Sequence, residues 1–150
     1  MSADSAALRA RLIAEARRWI GTPVLSIAPR CAAWGPDCLG LVRGRRGVGV
    51  IGPEPEHLPA YAPDWAEAGR RETLTDAAAR HLHNVPLDQI QPGDVLLFRF
   101  RAHLPAKHAA ILCAPDRMLH AYDGIAVCDT ALTPWWHRRL AAAFAFPGTL

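Results

Sequence analysis

The 150-residue chain lacks any apolar run long enough to cross a bilayer. Its longest runs, such as Val95–Phe98 and Leu140–Phe146, fall far short of the roughly 20 residues that a spanning helix needs. Nor do we expect its first residues to act as an export signal. Asp4, Glu15 and several Arg interrupt the first twenty residues, and no apolar stretch follows a basic start. Cysteine is scarce: Cys31, Cys38, Cys113 and Cys128 are too few for a disulfide scaffold, and no Cys-x-x-Cys pair marks a structural zinc site. GxxxxGK[ST], GxGxxG after a strand and His-Glu-x-x-His are all missing, so nucleotide binding and zinc peptidase chemistry have no support. A strong excess of one charge sign is missing too. Lys plus Arg is 17 against 14 Asp plus Glu, a net +3. That balance suits an anionic polymer as partner without requiring one. We expect neither a nucleic-acid partner nor membrane insertion. What remains is a globular composition, 51% hydrophobic and 21% charged, of one-domain length, so residues 1–150 are expected to form a single domain.

The pattern along the chain divides into helices first and strands afterwards. Ser5 is placed to cap a first helix carrying Leu8, Leu12, Ala16 and Trp19 on one stripe, with Arg9, Arg11 and Arg18 off it as a solvated face. Gly21-Thr22-Pro23 stops it. After a loop rich in Pro, Gly and Ala, Asp37 caps a second helix that opens at Cys38 and is weakened by Gly44, Gly47, Gly49 and Gly52. Pro53, Pro55, Pro59 and Pro63 give an extended loop. A third helix is expected over about Thr73–Leu82, with Leu74, Ala77, Ala78 and Leu82 on one side. The turn Gln91-Pro92-Gly93-Asp94 then introduces short strands at Val95–Arg101, Lys107–Cys113, Arg117–Tyr122, Ile125–Asp129 and Arg139–Phe146. This order predicts an α+β fold with an antiparallel sheet.

Cys38 is the residue with the most specific position. At a helix N-terminus, unpaired backbone N–H groups and the helix dipole stabilise a thiolate, and the same N–H groups can donate to an oxyanion. A nucleophilic thiol needs a base. Period-two alternation puts His108, Ala110 and Leu112 on one strand face, and Met118, His120 and Tyr122 on one face of the next. Paired as a hairpin, these strands set His108 and His120 side by side, one as base and the other fixing its tautomer.

These residues belong to an ordered set: Gly21-Thr22-Pro23, Asp37-Cys38-Leu39-Gly40-Leu41-Val42-Arg43-Gly44, Pro92-Gly93-Asp94-Val95-Leu96, Lys107-His108-Ala109-Ala110-Ile111 and Met118-Leu119-His120-Ala121-Tyr122. The set resembles the NlpC/P60 family of papain-like cysteine peptidases, from Arg17 to Pro147. Pro59-Ala60-Tyr61-Ala62-Pro63-Asp64-Trp65 and Pro134-Trp135-Trp136 resemble the branch found in phages and gene transfer agents as cell-wall peptidases. The resemblance implies a papain-like α+β domain with its helices packed on the sheet. It implies cleavage of peptidoglycan stem peptides between a D-γ-glutamyl residue and a diamino acid. Cys38 matches the nucleophile, His108 the base and His120 the orienting residue. No metal or organic cofactor is implied. A chain of this kind starts in the cytoplasm and meets the wall with phage-like tail proteins as partners. One departure stands out: where the family usually has Tyr after the Gly-x-Pro turn, this chain has Val24.

Trp34, four positions before Cys38, and Asp37 are the candidate substrate-binding residues. Cys31 is read as a free thiol, with a blocking disulfide to Cys38 as the sharper alternative. Cys113 and Cys128 are read as core, Cys113 facing away from the histidines. His57, His81, His83, His103 and His137 are read as exposed. His81 and His83, taken as two apart on a helix, share no face and form no metal pair. Asp123 and Asp129 are alternative orienters to His120. Trp65, Trp135 and Trp136 are read as core or groove wall.

Overall fold

The computed structural model describes residues 2–21, 72–121 and 126–150. Helix α1 spans Ala3–Arg17 and α2 Thr73–His81. The strands are β1 (His83–Val85), β2 (Val95–Phe98), β3 (His108–Ala114), β4 (Arg117–Ala121), β5 (Val127–Ala131) and β6 (Leu140–Ala145), with the short α3 (Pro134–His137) before β6. They form one six-stranded sheet in the order β1-β6-β2-β3-β4-β5, with every pairing antiparallel. The α+β class and the five expected strands are thus present. β1 and α3 are additional, being too short to carry a periodic signal.

The sheet is buried on both faces, which is why β2 reads as the unbroken apolar run Val-Leu-Leu-Phe. One face carries Val95, Leu97, Ala109, Ile111, Leu119, Val127 and Phe144. Leu12 and Ala16 of α1 and Leu74 of α2 pack on it. The other face carries Leu96, Phe98, Ala110, Leu112, Met118 and Ala143 and is covered by Leu132 and Trp136. Among the described residues no helix is long and apolar enough to cross a membrane.

Two expectations about α1 need correction. The cap is Ser2, whose hydroxyl accepts from the Ser5 N–H at 3.1 Å. Ser5 is buried inside the first turn, and its own hydroxyl donates to the Thr149 carbonyl at 2.7 Å. Arg9 is not on a solvated face. Its side chain is 7% exposed and its Nη1 lies 2.6 Å from Oδ1 of the fully buried Asp94. Arg9 Nε also donates to the Thr149 carbonyl and Nη1 to that of Pro92. Asp94 Oδ2 accepts in turn from the Gln91 N–H at 2.8 Å, so the expected turn is closed by the same carboxylate. Gly93 makes the approach possible. Its φ is +102°, and a Cβ there would stand 3.1 Å from Arg9 Cγ. A charge read as solvated is buried because the turn offers it a buried carboxylate; Arg11 is exposed, and so is Arg18, whose ion pair with Glu15 lies at the surface. Gly21 ends the α1 segment at φ +81°, as expected. His83 is a further correction: it lies on β1, not on the helix with His81.

Removing one partner of a buried pair strands the other charge. Arg9→Ala should therefore lower unfolding free energy in urea by about 3–5 kcal/mol, and Arg11→Ala by less than about 0.5. Equal effects of the two substitutions would contradict the burial of the pair.

Candidate active site

His108 opens β3, with its Cα paired to Phe98 of β2. The loop that delivers it is tied to α2. Glu72, the N-cap residue of α2, binds Arg99 Nη1 through Oε1 at 2.7 Å and accepts the Ala106 N–H on Oε2 at 3.1 Å. The same Arg99 nitrogen donates to the Leu104 carbonyl. The chain is thus held on both sides of Arg101–His103 before it enters the strand.

His120 sits on the neighbouring β4. The register Ile111–Leu119 and Leu112–Met118 makes it a diagonal neighbour of His108. The two rings meet edge to face, with His108 Nε2 and His120 Nδ1 2.9 Å apart. The side-by-side placement expected from strand parity is therefore present. His120 is fully buried and His108 is 8% exposed.

The surroundings of the pair are aromatic. Trp136 stacks on the His108 ring at 5.5 Å and 26°, and lies edge-on to His120 at 5.3 Å. Phe98 meets Trp136 edge-on at 5.0 Å, and the Phe100 ring is 5.9 Å from His108. α3 exists to place this indole: Pro134 starts it, and Trp136 is its buried residue. Trp135 is exposed, with the Arg139 guanidinium 3.6 Å above its ring. Of the two candidate walls, Trp136 covers the histidines and Trp135 faces solvent.

Burial dominates the electrostatics. Removal from water, and then repulsion from His120, push the His108 pKa down to about 3. Burial alone takes His120 down to about 4. Both rings are neutral near pH 7, so each has one N–H and one bare nitrogen.

Sequence reasoning missed the far side of the pair. His120 Nε2 lies 3.0 Å from Thr130 Oγ1, and Cys128 Sγ lies 3.4 Å from that same hydroxyl. Strand parity contained the signal, since β5 places Cys128 opposite His120 and Thr130 opposite Met118. Ending the strand at Asp129 hid it. Cys128 is accordingly half-buried beside the histidine, not in the core. Asp129 has the opposite parity and pairs with Arg117 at 2.7 Å, so it does not orient His108. Cys113 faces α1 with Ala16 and Ile111, as expected, and burial together with the Asp129 charge pushes its thiol up and away from reactivity. His83, His103 and His137 are exposed, as expected, and His81 is half-buried. Cys31, Cys38, Trp34, Asp37, Val24, His57, Trp65 and Asp123 lie outside the described residues, as does the second expected helix.

The NlpC/P60 family model matches residues 29–144, a span that includes positions 38, 108 and 120. The chain is 38% identical over 76 residues to the tail tip assembly protein K of Escherichia phage lambda, covering 51% of this chain and 38% of that protein. Among solved structures, it matches the crystal structure of a protein described as similar to lipoprotein, NLP/P60 family, from Staphylococcus aureus subsp. aureus Mu50. That match has a TM-score of 0.56 at 20% identity, over 97% of this chain and 42% of the other. It establishes a shared fold. The chain spans less than half the length of either protein.

The buried pair predicts how stability depends on pH. Above pH 6.5, the ordinary histidine value, folded and unfolded states are both neutral and pay nothing. Below it the unfolded chain binds protons that the folded pair refuses, so unfolding free energy should fall as pH drops from 6.5 toward 4. Ring 15N shifts of His108 and His120 should stay neutral throughout pH 8 to 5. Imidazolium shifts with a midpoint near 6.5 would contradict the burial.

Proposed function

The chain belongs to the NlpC/P60 family, and from that premise we propose that it is a cysteine peptidase of peptidoglycan stem peptides, carried on a phage-like tail. The bond cut is the amide between a D-γ-glutamyl residue and a diamino acid, and residues 1–150 form one domain of this kind. The observation that supports the reading best is the His108–His120 hydrogen bond under Trp136. A purely structural sheet face gains nothing from two neutral imidazoles placed where leucines would pack.

In this mechanism Cys38 supplies the nucleophile. His108 takes the thiol proton as sulfur attacks the scissile carbonyl, and the oxyanion is held by the Cys38 backbone N–H and a neighbouring donor. His108 then gives that proton to the leaving amine of the diamino acid, which departs and leaves a γ-glutamyl thioester. Water, deprotonated by the same ring, attacks the thioester; the ring returns the proton to sulfur and frees the carboxylate. A weakly basic His108 suits the second step, since an imidazolium in this buried place readily gives up its proton. His120 orients the ring. Trp34 and Asp37 bind substrate beside the nucleophile. No metal or organic cofactor takes part.

Tail association rests on the likeness to the lambda tail tip assembly protein K. In this reading the chain is made in the cytoplasm and reaches the wall with its tail partners. Val24 supports a second reading, a wall-binding tail subunit with little or no turnover, because the tyrosine hydroxyl usual at that place is missing.

Muropeptides incubated with the protein and analysed by mass spectrometry should show products ending in D-γ-glutamate. Cys38→Ala should lower the rate by about three to six powers of ten. His120→Ala should lower it by about 10- to 1000-fold, because it orients a base without making a bond. Activity of Cys38→Ala within about tenfold of wild type would remove Cys38 from the mechanism. Labelling of Cys38 by a thiol probe without muropeptide cleavage would point to an amidase or acyltransferase on another acyl group. Absence of both would point to the structural subunit.

A further inference from the structure

We propose that Thr130 is a positioning residue: its hydroxyl, oriented by Cys128, holds His120 in the tautomer that leaves Nδ1 of His108 as the proton acceptor. The inference rests on the reading of His108 as the base.

The polarity of the chain of contacts follows from its one group with no hydrogen to give. Cys128 Sγ lies 3.7 Å from the main-chain carbonyl oxygen of His120. A carbonyl only accepts, so the thiol hydrogen is directed there. The sulfur then has lone pairs, not a proton, to offer Thr130 Oγ1 at 3.4 Å, and the threonine O–H donates to sulfur. With its hydrogen committed, Oγ1 accepts from His120 Nε2–H at 3.0 Å. A neutral imidazole has one N–H, so His120 Nδ1 is bare and accepts from His108 Nε2–H at 2.9 Å. His108, neutral as well, then carries its lone pair on Nδ1. Reversing every donor would put a hydrogen on that nitrogen and take away the base.

Threonine suits the task for a second reason. On a strand its β-branched side chain is stiff at χ1. The pairings Met118–Thr130 and His120–Cys128 make Thr130 the diagonal neighbour of His120, within reach of its outer nitrogen. When His108 accepts the Cys38 proton, the only bonds that change are S–H and Nδ1–H. The relay behind it keeps its donors and disperses the new charge towards His120.

The test uses the full chain with 15N-labelled histidine, as wild type, Thr130→Val and Thr130→Ser. In wild type and in Thr130→Ser, ring 15N shifts should report N–H on Nε2 of both His108 and His120. In Thr130→Val, nearly isosteric but without the hydroxyl, His120 should show mixed tautomers. On muropeptides kcat of Thr130→Val should fall at least about tenfold, as expected of a base in the wrong tautomer, with KM within about twofold. Thr130→Ser should regain most of the rate. Unchanged tautomers and kcat in Thr130→Val would overturn the proposal. So would a loss of rate that serine fails to restore when its melting curve matches wild type. If no variant cleaves muropeptides, the tautomers still decide the matter. Mixing in Thr130→Val alone then keeps the positioning role and removes the peptidase reading; no mixing removes the positioning role.

Discussion

The hydrogen bond between His108 Nε2 and His120 Nδ1 spans two strands, and its length of 2.9 Å depends on the register of β3 on β4. A slip by one residue would send both rings to the opposite face, among Ile111, Leu119 and the residues of α1. Much of the sheet serves to prevent that slip. β2 holds β3 from the other side through four paired residues, ending with Phe98 at His108. β5 holds β4 through five and brings Thr130 to the outer nitrogen of His120. The apolar packing of both faces makes each register expensive to change.

Away from the histidines, the buried Arg9–Asp94 pair joins three distant pieces of chain. It fastens α1 to the turn before β2 and, through Thr149, to the C-terminal end. β2 starts at the residue after Asp94, so the ion pair sets where the central strand begins. The site therefore depends on a charge on the opposite side of the sheet, carried through strand placement and not through any contact with the imidazoles. Such a pair is costly to form and more costly to break, which favours a single register over competing ones.

Much of this was legible in the sequence because period two is a strong code. The alternation in His108–Leu112 and Met118–His120 places the two histidines together without any knowledge of the sheet order. The helix Thr73–His81 and the turn at Gly93 were equally plain. Arg9 was not legible: its charge placed it off the apolar stripe and in solvent, and only the partner at position 94, far along the chain, reverses that. Ser5 satisfied the local rule for a cap, but its hydroxyl is taken by the Thr149 carbonyl, and Ser2 caps the helix instead. Thr130 was lost to a strand end placed two residues early, where a local pattern fades. Trp136 was visible as an aromatic but not as the lid of the pair, because a four-residue helix leaves no periodicity to read.

The central claim is that this histidine pair serves Cys38. The most direct measurement is the rate at which iodoacetamide alkylates each cysteine of the reduced, folded protein near pH 7, mapped by peptide mass in wild type and in His108→Ala. Cys38 should be the fastest of the four cysteines in wild type, and its rate should fall by at least about tenfold in His108→Ala while Cys31 is unchanged. Equal Cys38 rates in the two proteins, or a Cys31 faster than Cys38, would contradict the account.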